Sequence, residues 1–178
     1  MRVLMETVAS SVQRLDPVRG PSSAETQVRV CLVRLGEELF AIDLHSVSEV
    51  FEVDSITPVP GMPEVLIGVA NLRGLIIPLV DLRPLLGLAT TGPALPYAVV
   101  VRHGVQLLAV LIQQVPEIRT IQRDQFLPAV QNAREHSTPF VTAVLCIEER
   151  MGGVLEIPTV FEQVEGRGVR GLSTGTEA

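Results

Sequence analysis

An ungapped internal repeat constrains this chain more than any other feature. Gly36-Glu-Glu-Leu-Phe-Ala-Ile-Asp-Leu-His-Ser-Val-Ser-Glu-Val50 aligns with Gly104-Val-Gln-Leu-Leu-Ala-Val-Leu-Ile-Gln-Gln-Val-Pro-Glu-Ile118, 68 positions later. Gly, Leu, Ala, Val and Glu recur at matching places, and most other apolar positions stay apolar. The stretch ahead of it recurs as well, Cys31-Leu-Val-Arg34 against Val99-Val-Val-Arg102. Further on, Leu79-Val-Asp-Leu82 returns as Val154-Leu-Glu-Ile157 at a spacing of 75, so a loop of the second copy is seven residues longer. The chain therefore reads as two copies of one folding unit.

Each unit is written mainly in strands. Val28 to Leu35 is β-branched and partly alternating, and Gly36-Glu37 can turn it back into Leu39 to Ile42. Leu44, Val47 and Val50 have the spacing of one or two helical turns, and Phe51 to Thr57 is extended again. Pro58, Pro60, Gly61 and Pro63 mark a rigid loop. Leu66 to Leu72 and Leu75 to Val80 are apolar strands split by Arg73-Gly74. Asp81 is suited to N-cap a short helix, Leu82 to Leu86, stopped by Gly87, with Pro84 tolerated in the first turn.

Two such units predict an all-β fold: two five-stranded barrels sharing an apolar core, with short helical turns and a closing helix. Barrels are favoured because they remove exposed strand edges. Runs such as Val69 to Val80 and Val99 to Val101 fit strands buried on both sides. The expected domain spans residues 28–165, its halves roughly 28–88 and 97–165, joined by a Gly/Pro-containing linker. Residues 1–27 form an extension in which Leu4, Val8, Val12 and Leu15 have helical spacing before Pro17, Gly20 and Pro21 break it. That pattern predicts an amphipathic helix followed by a flexible linker. Residues 122–139 read as a polar loop, and 166–178 as a flexible tail.

Composition narrows the function. Apolar residues make up 47% of the chain and aromatics only 3%, so Val, Leu and Ile must fill the core. A net charge of −6 argues against nucleic acid and against anionic membrane surfaces, since both need a basic face. No apolar run approaches the roughly 20 residues that span a bilayer, and the first 15 residues lack a signal-peptide pattern, so no membrane insertion is expected. Cys31 and Cys146 lie within strand-like apolar runs, which suits buried free thiols in a reducing compartment better than a disulfide or a metal site. A cytoplasmic protein is expected.

Catalytic chemistry is hard to find. His45, His103 and His136 are scattered without metal-ligand spacing. No nucleophile elbow, phosphate-cradling loop or dinucleotide fingerprint is present. Asp43 and His45 can form a polar pair, but the second unit carries Leu111 and Gln113 there. Glu148, Glu149 and Arg150 read as a solvated charge cluster in a turn. No catalytic residue, metal or cofactor is expected, and the chain is read as a non-enzyme.

Gly68-Val-Ala-Asn-Leu-Arg-Gly-Leu-Ile-Ile-Pro-Leu-Val-Asp-Leu-Arg83 closely resembles the signature of the CheW family, an Asn-Leu-Arg-Gly turn, an apolar strand and an Asp-Leu-Arg segment. The resemblance extends from about Val28 to Gln163. It implies two five-stranded SH3-like barrels on a shared core. It also implies a non-catalytic adaptor, recruited to receptor arrays, that bridges the cytoplasmic tip of methyl-accepting chemoreceptors and the regulatory domain of a CheA-type histidine kinase. A groove between the barrels would accept the receptor tip, and the first barrel would pair with the kinase.

By position, the resemblance implies that Arg73 faces an acidic residue of the receptor, with Gly68, Asn71, Leu72 and Gly74 around it. Gly74 can take the positive φ of a tight turn and leave Arg73 projecting, and a guanidinium fork suits a carboxylate. An ordinary exposed turn arginine is the other reading. Val47 and Glu49 match positions that resemble the receptor- or kinase-contact region, although Val115 and Glu117 repeat them, which equally fits a structural role in both barrels. Two alternatives stay open: an adaptor of a pilus-motility or other chemosensory pathway, and a small-ligand-binding β-barrel.

Overall fold

Successive residues of the first strand, β1 (Gln27–Leu35), point to opposite faces, and both faces are apolar. Cys31, Val33 and Leu35 enter one buried cluster, while Val30 and Leu32 enter another. A strand of this kind must be covered on two sides, and the rest of the chain supplies both covers. The computed structural model describes residues 27–92, 94–128 and 140–171. After β1 come β2 (Glu38–Asp43), β3 (Val47–Glu52), β4 (Leu66–Leu72), β5 (Leu75–Val80), β6 (Tyr97–His103) and β7 (Gln106–Ile112). These are followed by β8 (Glu117–Gln122), β9 (Phe126–Pro128), β10 (Val141–Ile147), β11 (Arg150–Leu155) and the helix α1 (Ile157–Gly171).

The strands form two sheets, ordered β8-β1-β2-β11-β10-β9 and β3-β6-β7-β5-β4. The same order appears in both once each strand is matched to its repeat, so the duplication read in the sequence is present in the topology. The halves 28–88 and 97–165 are nevertheless not the two barrels. Each half sends its first hairpin into the other sheet: β1–β2 joins β8, β10 and β11, and β6–β7 joins β3, β4 and β5. Short connectors enforce the exchange. A 3-10 turn, Leu44–Ser46, carries the chain directly from β2 in one sheet to β3 in the other. The exchanged hairpins then meet their new neighbours in parallel, β2 with β11 and β7 with β5.

Both sheets close on themselves. In the first, β8 and β9 occupy the two ends of the strand order and are joined through a 3-10 turn at Arg123–Gln125. In the second, the chain leaving β3 reaches Thr57, whose N–H and C=O exchange 2.9 Å bonds with Val69 on β4. One barrel is filled by residues such as Ile77, Leu79, Val100 and Leu111, the other by Val30, Ala41, Ile121 and Leu145. Between them lies the largest cluster, where Cys31, Val33, Phe40 and Ile42 of one hairpin face Val99, Val101, Val110 and Ile112 of the other. Helix α1 adds Ile157, Val160, Phe161 and Val164, one stripe at helical spacing.

Several local expectations change. The strand after Leu44 begins at Val47 rather than Phe51, because Val47 packs on the central core and alternation runs from there. The segment after Asp81 is a single turn: Leu86 N–H bonds Leu82 O at 3.0 Å, and Leu88 N–H already returns to Arg83 O. Pro84 removes one donor and Gly87 takes φ +68°, so no second turn propagates. The closing helix runs to Gly171, past the expected boundary at 165, and Gln27 already belongs to β1. Within the expected 122–139 loop, residues 123–128 form a 3-10 turn and β9. The remainder of that loop, the expected N-terminal helix and linker in residues 1–26, and the tail from 172 to 178 lie outside the described residues.

Asp81 holds the end of β5 by charge. Its carboxylate accepts Arg83 Nε at 3.0 Å on both oxygens and Nη2 at 2.7 Å, with the Arg83 backbone N–H also bonded at 3.0 Å. Both side chains are more than nine-tenths buried. The hydrogen bond to Asp81 raises the Arg83 pKa against the opposing effect of burial, so the guanidinium stays charged. Removing one partner strands the other charge. Asp81→Ala is expected to cost about 3–5 kcal/mol, read as a lower urea midpoint, and Asp81→Leu with Arg83→Met to recover much of it.

Burial also pushes the Cys31 thiol from 9.0 to about 11. The folded value lies above the unfolded one, so this stabilising contribution is fully present below about pH 9 and is lost as pH rises through about 11. Comparing stability–pH curves of the wild type and Cys31→Val should show the wild type losing about 2–3 kcal/mol more across that window.

Candidate functional site

The turn between β4 and β5 is built to hold one side chain outward. Arg73 and Gly74 both have positive φ, +54° and +90°, the combination of a type I′ hairpin turn. Gly74 adopts this without cost, whereas Arg73 is one of two non-glycine residues among those described that do so. The Asn71 side chain accepts the Gly74 N–H at 2.8 Å and locks the turn. Leu72 anchors it by packing on the core of the same barrel.

Arg73 does not project freely. Its Nη2 lies 3.1 Å from Glu49 Oε2 on β3. In the strand order β3 and β4 stand at opposite ends, so this ion pair spans the seam at which the barrel closes. Arg73 remains 81% exposed and Glu49 33% exposed, which limits the pair to about 0–1 kcal/mol of stability. Its value is orientation: the guanidinium is held near the barrel rim with most of its surface available. Val47, two residues before Glu49, is half-buried against the central core. The structure thus joins Arg73 with Glu49 and Asn71, and places Val47 in packing.

The outer face of the β4–β5 hairpin continues from this tip into an apolar groove. Asn71 faces Ile76 across the strands, and Val69 faces Pro78 one step further along the same face. Ile76 is 60% exposed and Leu75, beside the turn, 52% exposed. Val69 and Pro78 then line a groove of about 390 Å³ with Met62, Pro63, Leu107 and Phe161. At its lip Gln106 Nε2 donates to Glu165 Oε1 at 2.6 Å, tying β7 to α1. Sequence reasoning misses the helix wall and the Ile76 face, because nothing local to either segment signals that α1 lies beside β4 and β7.

The Asp43–His45 pair is structural. Asp43 accepts both the His45 N–H at 2.8 Å and its ring Nδ1 at 2.9 Å, capping the Leu44–Ser46 turn. Both cysteines are free thiols, Cys31 buried and Cys146 half-buried. Among the described residues no group of three or more His, Cys, Asp or Glu side chains could hold a metal ion, and no helix is long and apolar enough to cross a membrane.

A family model described as CheW-like domain matches residues 29–165. The chain is 29% identical over 133 residues to the chemotaxis protein CheW of Rhizobium meliloti, covering 74% of this chain and 86% of that protein. It is 28% identical over 134 residues to the chemotaxis protein CheW of Klebsiella aerogenes, covering 74% and 80%. The crystal structure of the scaffolding protein TtCheW from Thermoanaerobacter tengcongensis superposes with a TM-score of 0.65 at 28% identity, covering 72% of this chain and 88% of that one. The two barrels are therefore SH3-like subdomains.

Within the matched span Gly68 stands apart from the Arg73 tip. It is buried on β4 where the register slips between Leu66 and Gly68, directly under the Thr57 crossing. A Cβ there would collide with the Thr57 carbonyl oxygen and come within 2.9 Å of Ile56 Cγ2. Gly68 thus permits the backbone approach that closes the barrel. Gly68→Ala is expected to destabilise the fold by about 1–3 kcal/mol, measured as a urea-midpoint shift.

Proposed function

This chain belongs to the CheW-like family of chemotaxis adaptors, and on that premise we propose that it couples methyl-accepting chemoreceptors to a CheA-type histidine kinase. The reading places it in the cytoplasm, recruited to receptor arrays, working by binding and not by catalysis. The observation that carries it is the Arg73 tip: a locked turn, an oriented and largely exposed guanidinium, and an apolar face leading away into a groove. A receptor hairpin presenting a carboxylate would exchange Glu49 for its own acid on Arg73 and lay apolar residues along Ile76, Val69 and Pro78.

Magnitudes favour this division of labour. A charged hydrogen bond contributes about 1.5–3 kcal/mol, whereas micromolar binding needs about 8 kcal/mol. The apolar face must supply most of the affinity, and Arg73 the register. Glu49 tunes the exchange, since it offers Arg73 an alternative partner in the free protein. Gly68 and Val47 support the same surface indirectly, by closing the barrel and seating β3. The kinase regulatory domain would pair with the barrel that carries this tip.

Titration calorimetry against a receptor signalling-tip fragment and, separately, the kinase regulatory domain tests the proposal. Arg73→Glu is expected to weaken receptor binding roughly 10- to 100-fold while leaving the urea midpoint within about 1 kcal/mol of wild type. Unchanged receptor affinity in that variant would remove Arg73 from the site. Absence of heat with both partners, at two temperatures and with all proteins folded, would overturn the coupling role itself.

A further inference from the structure

The duplication gives the second barrel an end equivalent to the one that carries Arg73. Glu117 sits opposite Leu32 on β1 just as Glu49 sits opposite Val100 on β6. The β10–β11 turn places Glu148 where the β4–β5 turn places Arg73, with φ +56° against +54°. The charge at the turn is reversed, and the ion pair is rebuilt around a different residue. Arg119 on β8 bonds Glu117 Oε1 through Nε at 2.6 Å and Glu148 Oε1 through Nη1 at 3.2 Å. Both carboxylates raise the Arg119 pKa.

This triad borders a cleft of about 260 Å³. Leu32, Leu39 and Ile147 contribute its apolar lining, and Arg34 and Arg150 reach it from β1 and β11. Glu117 and Glu148 are committed to Arg119. The Arg34 and Arg150 side chains have no hydrogen bond or ion pair among the described residues. Glu149 is exposed at the turn and is not part of the lining. The cleft therefore holds two uncompensated guanidinium groups beside apolar surface, in a chain whose net charge is −6.

We propose that the open end of this second barrel is a separate docking site for an acidic turn of a protein partner, with Arg34 and Arg150 receiving its carboxylates. Guanidinium forks bind carboxylates bidentately, and Leu32, Leu39 and Ile147 take an apolar neighbour of the acid. The triad acts as a fence: Glu148 and Glu117 hold Arg119 to one side and repel an acid presented at the turn itself. This site goes beyond the receptor-coupling reading, because it uses neither Arg73 nor the groove beside α1.

The test uses the full chain with the blocked peptide Leu-Glu-Glu-Leu, its Leu-Gln-Gln-Leu counterpart and inorganic phosphate as probes. Backbone N–H resonances of Leu39 and Ile147, which line the cleft and are kept in every variant, are the readout. Saturable shifts with the diglutamate peptide, absent with the diglutamine peptide, are expected. They should weaken about tenfold or more in Arg34→Gln/Arg150→Gln and persist in Arg73→Glu. No saturation, or equal binding by a folded Arg34→Gln/Arg150→Gln variant, would overturn the site. Phosphate binding as tight as the peptide would reduce it to a simple anion site and overturn the docking role.

Discussion

The packing of two exchanged hairpins against each other is the constraint on which everything else rests. β1–β2 and β6–β7 each present one face to the interior of a barrel and the other to the cluster between the barrels. Neither hairpin could serve its own sequence half alone without leaving one apolar face in water, at about 25 cal/mol for each Å² exposed. The exchange means that neither barrel is complete without strands from both copies of the repeat. One cooperative unit results, and its exposed turns inherit that rigidity.

That rigidity extends to the exposed Arg73. A long side chain on a loose loop loses conformational entropy when it binds. Here the backbone is held by Asn71 and the left-handed turn, and the guanidinium by Glu49 across the seam. The seam in turn depends on Gly68, whose missing side chain lets Thr57 approach β4. Packing, closure and the orientation of Arg73 are thus linked in series. The buried Asp81–Arg83 pair belongs to the same chain of dependence, since the Asp81 N–H bonds Val65 O at 2.9 Å and ties the end of β5 to the residue before β4.

The two barrels share backbone geometry at this end but not charge. The left-handed turn residue is retained in both barrels, and the glutamate on the neighbouring strand is retained too. The arginine lies in the turn of one barrel and on β8 of the other, whose turn is acidic. Equivalent ends of one fold therefore carry different electrostatic patterns.

The repeat, the apolar runs and the Asn71–Gly74 turn are legible in the sequence because they rest on local rules: alternation, turn chemistry and self-similarity. The Arg73 turn could be placed for that reason, and so could the strands at 66–72 and 75–80. Local rules set what each strand must bury, but not which neighbour does the burying. The hairpin exchange, the pairing of Arg73 with Glu49, the steric role of Gly68 and the groove wall supplied by α1 all join residues far apart in the chain. Each was decided by tertiary structure, because a doubly apolar hairpin leaves its partners unspecified until the short connectors and the shared core choose them.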